Sequence, residues 1–227
     1  MITDEAQARA WLAARPEGTP EAFDRLETLI AMLAQENTVQ NLVAAASLEH
    51  VWQRHIIDSA QLLAHVPRET LANANLGPWL DLGTGAGFPG LVIAALCPNV
   101  PVVMVESRAR RIEWLNRVIE ALGLRRASVE GRRLELVETR IARVISARAF
   151  APLDRLVTLS ARFSTKDTLW LLPKGRMAAK EVEELPRGIK HMFHVEPSLT
   201  DAESGMIAGH LLHVGNLKPK KTPSGQR

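Results

Sequence analysis

One cysteine, Cys97, stands in 227 residues, so the chain holds no internal disulfide and no four-cysteine zinc site. Tyrosine is absent. No apolar run approaches the roughly 20 residues that span a bilayer, and no internal repeat is found. The seven histidines show no metal-ligand spacing. The start, Met1–Arg15, has acids at Asp4 and Glu5 and no small-residue cleavage site after an apolar core, so it does not read as a secretory signal. These absences predict a cytoplasmic chain with no membrane partner and no metal. What is present, 46% hydrophobic residues, suffices for one substantial core.

Charge is unevenly spread. Residues 1–100 hold 5 cations against 11 anions, residues 101–150 hold 11 against 6, and residues 151–227 hold 12 against 8. An acidic start and a basic second half predict a polyanionic partner for the later surface.

The N-terminal third reads as helices. Segments 3–14 and 20–36 flank the breaker Arg15-Pro16-Glu17-Gly18-Thr19-Pro20, and Phe23, Leu26, Leu29, Ile30 and Leu33 recur at helical spacing. A third helix is expected from an N-cap at Ser47 to about His65. From Pro78 the types alternate. Strands are expected at 79–82, 102–106, 127–130, 142–146 and 168–172, and helices at 90–96, 109–122, 153–163 and 177–185. Two strands at 190–196 and 209–217 follow. The expected fold is α/β, a doubly wound and mostly parallel sheet with an antiparallel C-terminal pair. Residues 1–76 are expected to be an N-terminal helical cap within the same domain, 77–217 the core, and 218–227 a basic, disordered tail.

The richest segment is Leu80-Asp-Leu-Gly-Thr-Gly-Ala-Gly-Phe-Pro-Gly90, with Glu106 sixteen residues on. A strand, a glycine turn, a helix and a second strand ending in an acid form half of a Rossmann-type nucleotide site. Glycines let a ligand approach the backbone, and a carboxylate accepts both ribose hydroxyl protons. Gly85–Gly90 formally matches the dinucleotide pattern G-x-G-x-x-G. Other features favour S-adenosyl-L-methionine. Asp81 stands where a carboxylate meets the methionine ammonium, Phe88 and Pro89 would crowd a pyrophosphate, and nothing downstream resembles a hydride-transfer site. Expected cofactor contacts on this reading include Asp81, Gly85, Gly87 and Glu106.

The chain also resembles the RsmG (GidB) family of bacterial 16S rRNA guanine-N7 methyltransferases, from about Leu29 to Leu217. The resemblance rests on Asn41-Leu42, Arg54-His55-Ile56-Ile57-Asp58-Ser59, the loop Asp81–Gly90, Ser146-Ala147-Arg148-Ala149-Phe150-Ala151-Pro152-Leu153 and Lys174-Gly175. Family members often lack Ala147 and carry threonine where Val43 stands. The resemblance implies a Rossmann-like class I methyltransferase fold and methyl transfer to N7 of a guanine (position 527) in the 530 loop. It further implies that Gly83 and Phe88 line the methionine and adenine side of the loop and that Leu134 and Glu135 flank the adenine, with Glu130 and Glu138 as competitors for the latter role. Arg148 would lie beside the methionine or the incoming base. The implied partner is 16S rRNA or the small ribosomal subunit, and the expected state is a monomer.

Guanine N7 offers a free lone pair, so its methylation needs alignment and water exclusion rather than a general base. Cytosine C5 chemistry would need a reactive cysteine, and Cys97 lies in an apolar helix run where packing is expected. The Asn/Asp-Pro-Pro-Tyr motif of amino-group methylases is excluded by the missing tyrosine. Candidate RNA contacts are Arg148, Phe150, Lys174 and Arg176, at or just after expected strand ends, with Phe150 either a stacking ring or core. The tail cations Lys218, Lys220, Lys221 and Arg227 are further candidates for phosphate contacts. Trp170 is expected in the core, and His55 with Asp58 as a capping or hydrogen-bonded pair. Two alternatives stay open: a methyltransferase acting on a protein or small molecule, and a non-enzymatic binder of NAD or RNA.

Overall fold

The computed structural model describes residues 1–73 and 76–212. Helices α1 (Glu5–Ala13), α2 (Pro20–Glu36), α3 (Asp58–Ala60) and α4 (Arg68–Ala72) precede the first strand. The alternating part runs β1 (Trp79–Leu82), α5 (Gly90–Leu96), β2 (Val102–Val105), α6 (Ala109–Ala121), β3 (Ala127–Glu130), β4 (Val144–Ser146), α7 (Leu153–Ser160), β5 (Leu169–Lys174), α8 (Ala178–Glu183), α9 (Arg187–Lys190), β6 (Phe193–Pro197) and β7 (Gly205–His210). The seven strands lie in the order β3-β2-β1-β4-β5-β7-β6. The first five pair in parallel, and β7 joins antiparallel to both β5 and β6.

Every residue of β1 and β2 is buried, as strands covered on both faces must be. Side chains alternate between two apolar clusters. Trp79, Val102 and Met104 join α1, α2, α5 and α6 on one face, while Leu80, Leu82, Val103 and Val105 join α7, α8 and Phe193 on the other. Trp170 is fully buried in the second cluster, its ring edge-on to Phe193 at 6.1 Å.

The expected third helix is broken into pieces. Ala45–Ser47 forms a separate 3-10 turn, and the helical run beyond it is π-helical over Trp52–Ile57, α-helical over α3 and 3-10 over Gln61–His65. Ser47 does not cap it. The carboxylate of Glu5, on α1, accepts from the N–H groups of Trp52 (3.0 Å) and Gln53 (2.9 Å) instead. A cap supplied from 47 residues away leaves no local signature.

The C-terminal strands are also displaced from expectation. Pro186 starts the short α9, which delays β6 to Phe193. The last strand begins at Gly205 rather than 209, because Asp201 closes a tight turn by accepting from Glu203 N–H (2.9 Å) and Ser204 Oγ–H (3.0 Å). The remainder of that expected strand and the basic tail lie outside the described residues. No helix among the described residues is long and apolar enough to cross a membrane.

Candidate active site

The glycine loop leaves β1 at its C-terminal end, between β2 and β4, where the strand order reverses and open α/β sheets bind ligands. Gly83 has φ +63°, and a Cβ there would lie 2.1 Å from the Phe150 ring, so glycine is required both by conformation and by space. Gly85 and Gly87 also take positive φ.

Asp81 does something other than expected. It is fully buried, and its oxygens accept from Ser146 Oγ–H (2.7 Å), Gly90 N–H (3.0 Å) and the Thr84 hydroxyl. Ser146 in turn accepts from the Trp79 indole N–H at 2.8 Å. Burial pushes the carboxyl pKa up, while the hydrogen bonds from Thr84, Ser146 and Gly90 pull against it. Buried and lining neither of the cavities described below, Asp81 ties the loop to β4 and to the start of α5. Phe88 also departs from expectation. It is 2% exposed and stacks on His55 at 5.0 Å, so it seats the loop on the N-terminal helices and lines neither of the two cavities described next.

A polar cavity of about 250 Å³ opens at the ends of β1, β2 and β3, lined by Gly83, Glu106 and Leu134 among others. Glu106 Oε1 accepts from Ser107 N–H (2.7 Å) and Arg108 N–H (2.9 Å), and Oε2 from Gly85 N–H at 3.2 Å. Three backbone donors thus fix the carboxylate at the cavity wall. Leu134 is buried at the cavity edge, and its carbonyl accepts from Arg162 at 2.6 Å. Glu135 is exposed and outside the lining, because the 3-10 turn Leu134–Leu136 carries it away. Its competitors fare no better: Glu130 is held by Arg132 and Arg140, and Glu138 is exposed.

A larger, mainly apolar cavity of about 860 Å³ lies at the ends of β4, β5 and β7. Arg148, Phe150, Lys174 and Arg176 all line it, with Pro173, Met177 and Met206. Ala149 and Phe150 line both cavities and form their common wall. Ala149 holds φ +51°, a left-handed conformation that costs a β-carbon-bearing residue about 1–2 kcal/mol. Phe150 is half-buried, neither a free stacking ring nor full core. Lys174 is not available to RNA. Its side chain is 9% exposed, and Nζ donates to Glu181 (2.9 Å) and to the Ala151 carbonyl (2.9 Å). Glu181 also accepts from Leu153 N–H at 2.8 Å, so this ion pair pins the loop after β4. Arg176, by contrast, is open at the rim and pairs loosely with Glu203 at 3.7 Å.

Arg148 reaches back to the N-terminal helices. It donates to Asp58 Oδ2 at 3.2 Å and contacts His55 Nδ1 at 3.5 Å, above the Phe88 ring. His55 and Asp58 are therefore not a mutual pair; both hold Arg148. Asp58 Oδ1 accepts from Thr200 Oγ–H and Gln61 Nε2–H, each at 3.1 Å. Burial, aided by Arg148 and Arg54, pushes the His55 pKa down to about 3. The neutral ring then accepts at Nδ1 and donates from Nε2 to Ser47 Oγ at 2.8 Å, while Ser47 donates to the Ala44 carbonyl. Sequence reasoning missed Asp58, Gln61 and Thr200 as Arg148's support. The Arg-His-Ile-Ile-Asp-Ser run was the available signal, with His55 and Asp58 three apart. Cys97 is packed as expected, and burial pushes its thiol up to about 12.

Several known proteins resemble this chain. The family described as rRNA small subunit methyltransferase G (GidB) matches residues 22–204. Among curated relatives named ribosomal RNA small subunit methyltransferase G, that of Erythrobacter litoralis is 55% identical over 92% of this chain and 97% of its own. That of Novosphingobium aromaticivorans is 54% identical over 93% and 90%, and that of Zymomonas mobilis 41% over 97% and 98%. Among solved structures, a putative O-methyltransferase from Klebsiella pneumoniae has a TM-score of 0.55 at 15% identity, covering 91% of this chain and 96% of its own, a likeness of fold. With the family matched over most of the chain and its relatives aligned nearly end to end, this chain belongs to the rRNA small subunit methyltransferase G family.

Proposed function

We propose that the chain transfers a methyl group from S-adenosyl-L-methionine to N7 of a guanine in the 530 loop of 16S rRNA. The observation that carries this reading is the pair of cavities at the carboxyl ends of the strands, divided only by Ala149 and Phe150. A donor held in the small cavity and a base held in the large one would meet where the two adjoin, beside Ala149 and Phe150.

The residues of the small cavity fit the cofactor. Gly83 keeps clear a space that a Cβ would fill, Glu106 offers a carboxylate to the ribose hydroxyls, and Leu134 gives an apolar surface to the adenine. Bound there, the cofactor would supply an electrophilic methyl on sulfur, and guanine N7 has a free lone pair that needs no deprotonation to receive it. The chain's task is alignment and water exclusion. Arg148, clamped by Asp58, is the positioning residue beside the junction, Phe150 is the ring against which the incoming base orients, and Arg176 is the open cation at the rim. His55, neutral and engaged at both nitrogens, is spent on orienting Arg148 and takes no proton from the base.

Small-subunit rRNA from a strain lacking the activity, incubated with the protein and labelled cofactor, should gain a single N7-methylguanine in the 530 loop. Absence of transfer to that rRNA, or transfer to a free nucleoside at an equal rate, would sink this reading in favour of a protein or small-molecule methyltransferase.

A further inference from the structure

Around the small cavity the charges do not balance. Four guanidiniums, Arg108, Arg111, Arg132 and Arg133, line it against one carboxylate, Glu106. Arg111 lies 3.7 Å from Glu106, and Arg132 pairs with Glu130, which also holds Arg140. Arg108 and Arg133 are exposed, and no side-chain acceptor meets either guanidinium among the described residues. S-adenosyl-L-methionine brings a single carboxylate, too little negative charge to balance four guanidiniums.

The placement of Arg108 adds a second anomaly. It is the N-cap residue of α6, whose first turn holds Arg110 and Arg111 and no acid, leaving Glu106, which accepts from the Arg108 N–H, as the one carboxylate at that end. A helix N-terminus carries positive partial charge, so three arginines there repel it and one another. A bound anion relieves both costs. Every cation between residues 101 and 150 is arginine, whose planar fork suits two phosphate oxygens.

We propose that Arg108, Arg132 and Arg133 form a ledge that binds the phosphate backbone of the RNA beside the mouth of the small cavity. This inference rests on the rRNA reading above. A strand whose base enters the large cavity passes the common wall at Ala149–Phe150 and reaches the ledge on its far side. RNA would then cover the donor cavity while its base is engaged.

The test is the double variant Arg108→Ala/Arg133→Ala in the full chain. Both residues are exposed, and the Arg108 backbone N–H that serves Glu106 is retained. Binding to a 530-loop rRNA fragment is measured between 50 and 200 mM salt, and binding of S-adenosyl-L-methionine by calorimetry. We expect RNA affinity to fall about tenfold and the log–log salt slope to become shallower by roughly 1 to 2, since each lost phosphate contact removes about 0.7–0.9. Cofactor affinity stays within about twofold, and Arg108→Lys/Arg133→Lys recovers most of the slope. An unchanged RNA slope overturns the ledge. So does a loss confined to cofactor binding, which would make these arginines part of the donor site. If the wild-type chain shows no salt-dependent rRNA binding, the rRNA reading itself fails, a result distinct from wild-type binding that the double variant leaves intact.

Discussion

The two cavities share a wall and are built by opposite means. The smaller one is made by consecutive backbone: a glycine turn after β1, and a carboxylate after β2 fixed by the N–H groups of Gly85, Ser107 and Arg108. The larger one is made by side chains reaching across the fold. Arg148 is held by Asp58, 90 residues earlier, and Asp58 by Thr200, 142 residues later. Lys174 and Glu181 fasten the loop at Ala151 and Leu153. A site assembled from neighbouring backbone tolerates almost any surroundings; a site assembled from distant partners depends on the whole fold closing correctly.

That contrast yields measurements, largest effect first. Gly83→Ala strains a positive-φ position and drives a Cβ into Phe150, so cofactor affinity should fall about 100-fold by calorimetry, and RNA affinity by much less, through the displaced ring. Equal loss of both would erase the distinction between the cavities. Arg148→Ala should reduce turnover on rRNA by roughly 10- to 100-fold. Its melting temperature should barely move, because a quarter-exposed pair with Asp58 contributes at most about 1 kcal/mol. A matching drop in stability would make Arg148 a structural residue.

Lys174→Met leaves Glu181 half-satisfied on the wall of the large cavity. Unfolding in urea should show a loss of about 2 kcal/mol, with RNA affinity in the stable fraction little changed. A selective loss of RNA affinity would return Lys174 to the RNA surface. The effect of acid at His55 is of similar size at pH 5 and vanishes at neutral pH. Its folded pKa of about 3 lies below the unfolded value near 6.5, so the unfolded chain binds the extra proton between those limits. Its contribution is complete above pH 6.5 and is lost as pH falls toward 3, at about 1.4 kcal/mol per unit. Comparing His55→Gln with the wild type at pH 7.5 and 5 should show the wild type losing more stability on acidification. Parallel losses would place the histidine elsewhere than in the Arg148 clamp.

The same contrast explains what could be read from residues alone. The alternation of strands and helices, the glycine turn and Glu106 follow from local pattern, Leu134 came from the family resemblance, and the sheet has the expected parallel body and antiparallel end. Asp81 carried the right residue type for an ammonium contact, yet three donors from Thr84, Ser146 and Gly90 consume it, and two of those donors lie within nine residues. Lys174 stood at a strand end as a phosphate ligand would, and only the helix that follows shows its acid partner. Ser47 had every mark of an N-cap, and lost that role to Glu5 on another helix. Local chemistry names candidates; competition among distant partners decides which remain free.

The wall of Ala149 and Phe150 has a thermodynamic consequence. Because both cavities end on it, two ligands that each depend on the placement of the Phe150 ring are coupled through it, and the coupling free energy is the same read from either side. If cofactor tightens the grip on RNA by some factor, RNA must tighten the grip on cofactor by that factor.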